Sequence, residues 1–210
     1  SWMTEEHMML RESARKFFEA ELIPNLEEWG AAQQVDRQFW YKAGELGLLG
    51  AGISEEYGGF GGDLSFDAMV ALEHGATGDA GWGWGVHNMA AHYIEYCGTE
   101  EQKKKWLPGM VSGELVGAIA MTEPGTGSDL QNVKTTAEKD GDDYIINGSK
   151  IFITNGGSAD ILILVTKTDK NAAGKGVSLI IVDTRELDGF TRGKPLHKVG
   201  QKAQDTCELF

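Results

Sequence analysis

The chain has 210 residues, with 19 Lys and Arg against 32 Asp and Glu, a formal net charge of −13. Such acidity excludes a binder of phosphate backbones, which needs clustered Lys and Arg, and docking on an anionic membrane. A content of 41% hydrophobic and 24% charged residues excludes disorder as the main state and suffices for one large domain or two modest ones.

Residues 1 to about 116 read as helices. Thr4 can cap a first helix that reaches Phe17 and Phe18, with Met8 and Met9 on its apolar side and Arg11, Glu12, Arg15 and Lys16 toward solvent. Leu22, Leu26 and Trp29 continue in a short helix around Pro24, and Phe39, Ala43 and Leu46 line a third that Gly47 ends. Gly50–Gly62, containing Glu55-Glu56-Tyr57-Gly58-Gly59, is a loop. Ser65 can cap a helix carrying Met69, Val70 and Leu72, and a long helical segment runs from about Ala80 to Tyr96. Thr99-Glu100-Glu101-Gln102 fits a capping box for a helix through Trp106 and Met110 that stops near Gly113.

From Leu115 the pattern changes to short β-branched or aromatic runs: 116–121, 134–138, 144–147, 151–153, 161–166, 177–183 and 207–210. Asp140-Gly141-Asp142 and Asn147-Gly148 carry hairpin-turn chemistry. No helical pattern separates these runs, which points to an antiparallel sandwich or barrel rather than a parallel sheet. The expected architecture is α+β and multidomain, with an all-α bundle over 1–116 and a β-domain over 117–210. Charge divides similarly: 8 basic and 19 acidic residues up to Glu114, 11 and 13 after it. The excess acidity reads as the solvated faces of helices.

Several chemistries are absent from the sequence. There is no phosphate loop, no Gly-x-Ser-x-Gly elbow, and Gly81-x-Gly83-x-Gly85 lacks the final glycine and preceding strand of a dinucleotide fingerprint. The five histidines show no ligand spacing, so no metal site is expected. Cys97 and Cys207, far apart, suit a reducing compartment rather than a disulfide framework. The longest apolar runs are strand-sized, so no membrane insertion is expected.

Two segments carry chemistry. In Ala120-Met121-Thr122-Glu123-Pro124-Gly125-Thr126-Gly127-Ser128-Asp129, a strand runs into a Pro-Gly and Gly-Ser turn. Such a turn leaves backbone N–H groups unpaired beside the hydroxyls of Thr122, Thr126 and Ser128, which suits an anion or a polar ring edge. It also fits an ordinary β-turn. In Lys150-Ile151-Phe152-Ile153-Thr154-Asn155-Gly156-Gly157, strand alternation puts Phe152 and Thr154 on one face. An aromatic plane beside a hydroxyl suits a stacked heterocycle, and equally a core Phe beside a surface Thr.

Together, in this order, the two segments resemble the flavin motifs of the acyl-CoA dehydrogenase family. The likeness extends over the whole chain through Gly47-Leu48-Leu49-Gly50, Glu55–Gly59 and Gly98–Pro108. The resemblance implies FAD as cofactor, held by Ile119, Ala120, Met121, Thr122, Gly127, Ser128, Phe152, Ile153 and Thr154. Thr122 would meet the pyrimidine edge of the ring, Ser128 the pyrophosphate or the CoA arm, and Thr154 the hydride-accepting nitrogen N5. Phe152 stands where the family more often has Trp. Glu123 reads as a structural hydrogen-bond acceptor of the turn. The implied reaction is α,β-dehydrogenation of an acyl-CoA thioester, with electrons passing to an electron-transferring flavoprotein. The family's catalytic Glu belongs to a C-terminal helical domain, so no catalytic residue is expected in this chain, the base is expected beyond Phe210, and the chain alone is expected not to turn over. Gly81 and Gly85, four apart on the helix expected to wall the acyl tail, would deepen the slot for a long chain, or else allow close helix packing. The resemblance also implies a homo-oligomer, tetramer or dimer, in the bacterial cytoplasm, favoured here, or the mitochondrial matrix. A flavin oxidase or monooxygenase of the same fold, and a flavin-free interaction module, are the alternatives.

Overall fold

The computed structural model describes residues 2–78 and 81–210. They fall into two compact units: a helical one, up to Val116 plus His197–Gln204, and a β-rich one, Gly117–Leu196 plus Asp205–Phe210.

Among the described residues six α-helices build the first unit: α1 (Glu5–Phe17), α2 (Leu26–Ala32), α3 (Arg37–Glu45), α4 (Leu64–Ala76), α5 (Trp84–Cys97) and α6 (Glu100–Val111). Thr4 caps α1 reciprocally with His7, and Thr99 caps α6 with Gln102. α4 is capped by Asp63, whose carboxylate accepts from the Ser65 amide. Ser65 therefore lies inside the helix it was expected to cap, because Asp63 offers the same chemistry two residues earlier. On α1 the inward face is His7, Leu10, Ala14 and Phe17, while Met8 and Met9 are 47% and 67% exposed. They sit one step round the helix from the buried stripe. The expected start of α5 near Ala80 lies outside the described residues. The helix begins at Trp84, after a non-helical Gly81–Gly83. Trp82 fills the centre of this core, with ring centroids 5.0 Å from Phe39, 5.4 Å from Trp40 and 5.7 Å from Phe18. Ala203, from the distant His197–Gln204 segment, is buried in the same core.

The second unit contains β1 (Gly117–Ala120), β2 (Thr136–Asp140), β3 (Asp143–Asn147), β4 (Lys150–Ile153), β5 (Ile161–Lys167), β6 (Val177–Asp183) and β7 (Cys207–Leu209). Central β5 is apolar and buried through Val165, as a strand flanked on both edges must be. β6 pairs with it antiparallel along its whole length, while β1 (over Ile161–Leu164) and the start of β2 (at Lys167) take its other edge, both parallel. β2 and β3 form a hairpin across Gly141-Asp142. β4 pairs with β7 in a separate two-stranded sheet. The expectation of a helical part followed by a β part holds. The expected antiparallel sandwich or barrel is corrected to an open, mixed arrangement. β1 and β5 run parallel because three intervening strands, rather than a helix, carry the chain back to the same end. Asn147-Gly148 makes no hairpin, since β3 and β4 belong to different sheets.

Candidate functional site

β1 delivers Gly117–Ala120 into the turn at Pro124-Gly125. Glu123 and Thr126 close that turn by exchanging backbone hydrogen bonds of 2.9 and 3.0 Å. Below it the Glu123 carboxylate accepts from the Lys134 amide (2.5 Å), the Thr135 amide (2.9 Å) and the Lys150 ammonium (2.9 Å). Lys150 Nζ also donates to the Met121 carbonyl at 3.0 Å, and the Ile151 amide donates to the Thr122 carbonyl at 2.9 Å. At the far end, Asn155 Nδ2 donates to the Gly117 carbonyl at 3.0 Å. The two segments singled out from the sequence are thus laced together in antiparallel sense, Met121–Glu123 against Lys150–Ile151 and Gly117 against Asn155.

Glu123 and Lys150 expose 4% and 3% of their side chains. Burial alone would raise the carboxyl pKa, but the hydrogen bonds it accepts around Thr135, Lys134 and Lys150 outweigh that and hold it at about 2. Burial lowers the Lys150 pKa, and Glu123 opposes the shift. Glu123 is therefore a committed ion-pair partner and structural acceptor. It is too weak a base, and too enclosed, to take a proton from a substrate.

What the turn offers outward differs. Among the described residues the amides of Gly125, Gly127 and Ser128 and the hydroxyls of Thr122 and Ser128 make no hydrogen bond. Thr126 instead donates its hydroxyl to the Asn132 carbonyl. A Cβ built on Gly125 or Gly127 meets nothing within 4 Å, so the surface there is open to a polar group. Phe152 presents its ring to solvent, 63% exposed, from a backbone at φ +61°. That left-handed residue, with a bulge between Lys150 and Ile153, breaks strand alternation, and β4 ends before Thr154. Strand alternation therefore does not put Phe152 and Thr154 on one face as expected, although Phe152 is turned outward.

The remaining expected cofactor residues divide by burial. Ile119, Met121 and Thr122 are half-buried, Gly127 and Ser128 exposed, and Thr154 half-buried. Ala120 and Ile153 lie in the β core, so only their backbone can face a ligand. A cavity of about 440 Å³ in the same unit is lined by Ala120, Ile146, Leu162, Leu164, Phe190 and Leu209, among others. Of the nine residues only Ala120 reaches it, so it is not the cradle the two motifs form. In the helical unit Gly85 sits in the first turn of α5, with nothing within 4 Å of a Cβ placed there. Gly81 is buried and outside the helix, so the two glycines do not share a helical face as expected. No group of three His, Cys, Asp or Glu able to hold a metal occurs among the described residues. Sequence reasoning did not single out Lys150, Asn155 or Arg192 as supports. Lys150 and Asn155 lie within the second motif, but Arg192 has no local signal.

Known proteins resemble this chain over nearly its whole length. Residues 4–114 match the model for the N-terminal domain of acyl-CoA dehydrogenases, and residues 118–210 the model for their middle domain. The chain is 50% identical over 208 residues to the mitochondrial long-chain specific acyl-CoA dehydrogenase of Sus scrofa, covering 98% of this chain and 48% of that protein. The crystal structure of an acyl-CoA dehydrogenase from Geobacillus kaustophilus superposes with a TM-score of 0.95 at 49% identity, over 100% of this chain and 56% of that one. An acyl-CoA dehydrogenase complexed with FAD from Bacillus anthracis superposes with a TM-score of 0.86 at 33% identity, over 99% of this chain and 36% of that one. The chain spans about half the length of the curated relatives it matches.

Proposed function

The chain belongs to the acyl-CoA dehydrogenase family, and from that premise we propose that it supplies the FAD-facing residues of an enzyme dehydrogenating long-chain acyl-CoA thioesters between Cα and Cβ. The observation that carries this reading is the lacing of the two motifs. The Ile151 amide on the Thr122 carbonyl and Lys150 between Met121 and Glu123 tie the segment carrying the exposed Phe152 ring to the segment that leads into the turn with its unpaired donors.

The residues fit the cofactor. FAD, when bound, supplies the acceptor for the hydride leaving Cβ. Phe152 offers its ring for packing, and Thr122 and Thr154 offer hydroxyls to the polar edge of a flavin. The open amides of Gly125, Gly127 and Ser128 suit the pyrophosphate. Gly127 and its neighbour Gly125 keep side chains out of the way. Ile119, Ala120, Met121 and Ile153 form the floor behind these groups. Ser128 also serves the CoA arm.

The α-proton needs a carboxylate base. Glu123 is spoken for, and the relatives are about twice as long. We place the base in the part of the protein they have beyond this stretch. Chain length is read from Gly85, whose missing side chain leaves open space at the head of α5, and from the long-chain relative; Gly81 contributes through the bend before the helix. Electrons leave to an electron-transferring flavoprotein, the enzyme is a homo-oligomer, and it works in the bacterial cytoplasm or the mitochondrial matrix. Among the described residues no helix is long and apolar enough to cross a membrane.

The test uses the full-length enzyme carrying this sequence. Equilibrium titration with FAD is expected to give one site per chain, and anaerobic addition of a C16 acyl-CoA to bleach the flavin absorbance. A protein that binds no FAD, or whose bound FAD no acyl-CoA reduces, contradicts the proposal.

A further inference from the structure

We infer that Arg192 and Asn155 are positioning residues for the ring of Phe152, a proposal that rests on the flavin reading above and deepens it. Phe152 and Asn155 both stand at φ +61°, a conformation that costs energy for any residue with a side chain and persists only where its surroundings over-determine it. Upstream, the Ile151 amide and Lys150 already fix the segment to Met121–Glu123.

Downstream the fixing comes from Asn155 and Arg192. Asn155 is buried and its Nδ2 holds the Gly117 carbonyl at 3.0 Å, while its own carbonyl accepts from the Ala159 amide at 2.7 Å. The turn that results is clamped from outside by one guanidinium. Arg192 Nε donates to the Gly156 carbonyl at 3.0 Å, and Nη2 to the Ala159 carbonyl at 2.7 Å and to Thr184 Oγ1 at 2.8 Å. The guanidinium lies 4.8 Å from the centroid of the Phe190 ring. Its backbone is anchored by its neighbours: Thr191 exchanges two 2.9 Å hydrogen bonds with Phe210, and the Gly193 amide donates to Glu208. Three acceptors in a fixed fork suit a guanidinium, and an ammonium on a flexible stem cannot meet them together. Remote from both flavin motifs in sequence, Arg192 thus holds the exit of the Phe152 turn, and the strained residue keeps its outward ring only while both ends are held.

The experiment compares Arg192→Lys, Asn155→Gly, Phe152→Ala and the double variant Arg192→Lys/Phe152→Ala in the full-length FAD-loaded enzyme. FAD dissociation constant, visible flavin spectrum, cofactor midpoint potential and melting temperature are measured for each. Asn155→Gly leaves the left-handed backbone accessible and removes only the amide. Arg192→Lys, Asn155→Gly and Phe152→Ala are each expected to weaken FAD binding about tenfold and to shift the flavin bands. Arg192→Lys should add little further loss once Phe152 is Ala. Equal losses from Arg192→Lys with and without Phe152, or a lowered melting temperature with unchanged FAD affinity and spectrum, overturn the positioning role. If Phe152→Ala alone leaves FAD affinity unchanged, the flavin reading at Phe152 falls first, and this inference with it.

Discussion

The Glu123 carboxylate gathers two consecutive amides and an ammonium inside the β unit, and this sets a definite acid dependence. Its folded pKa of about 2 lies below the ordinary 4.5, so the unfolded chain binds the proton more readily. The stability this adds is complete above about pH 4.5 and is lost as pH falls toward 2. Glu123→Gln leaves Lys150 buried without its counter-charge and is expected to cost about 3–5 kcal/mol. It should also flatten the stability profile between pH 4.5 and 2, both read from urea midpoints. A variant as stable as the parent, with the same acid profile, contradicts the buried-pair reading. Glu123 was legible as a structural acceptor because it sits in a Pro-Gly turn. Its partner, 27 residues on, was not, since nothing in a sequence says which lysine will be drawn inside. Phe152 was legible as an aromatic offered for stacking, and it is exposed, but the left-handed backbone that turns it outward was not. Strand alternation is the default reading of an apolar run, and only the lacing to Met121–Glu123 and Gly117 overrides it.

Elements of the helical unit are tied by a second set of charges. His92 on α5 pairs with Asp67 on α4 at 2.8 Å and with Glu95 at 3.3 Å. The same carboxylates accept from the Gly52 and Ser54 amides of the Gly50–Gly62 loop. The Asp67 hydrogen bond raises the His92 pKa above 6.5 against partial burial, with Glu95 helping. The stabilisation is therefore complete below about pH 6.5 and fades as pH rises through the folded value. His92→Gln is expected to cost about 1.5–3 kcal/mol at pH 6 and much less at pH 9, measured by thermal or urea unfolding. A penalty independent of pH contradicts the charged pairing. On α5 itself, Gly85→Glu fills the open space in the first turn. In the full-length enzyme it is expected to lower kcat/KM for C16 relative to C8 acyl-CoA by tenfold or more, since each buried CH₂ is worth roughly 0.8 kcal/mol. An unchanged ratio leaves Gly85 as a packing glycine. The helix caps at Thr4 and Thr99 could be read directly because capping is local chemistry. The shift from Ser65 to Asp63 shows that two capping residues two positions apart compete, and the sequence does not rank them.

For the whole molecule, periodicity separated helical from β sequence near Leu115, and α6 and β1 meet that change at Val111 and Gly117. Two features follow from long-range packing and have no local signature. One is the parallel pairing of β1 with β5, and the other is the return of His197–Gln204 to the helical core through Ala203. Under the proposed function, the cofactor contacts lie in this chain and the proton-abstracting carboxylate elsewhere in the full-length enzyme. The 210-residue chain mixed with acyl-CoA and a dye acceptor is therefore expected to give no sustained turnover. A crystal structure of the full-length enzyme with FAD tests the cofactor placement. The isoalloxazine ring is expected against Phe152 and the Thr122 hydroxyl, with the pyrophosphate at the Gly125–Ser128 amides. A flavin bound away from both the Met121–Ser128 turn and the Phe152 segment would overturn this placement.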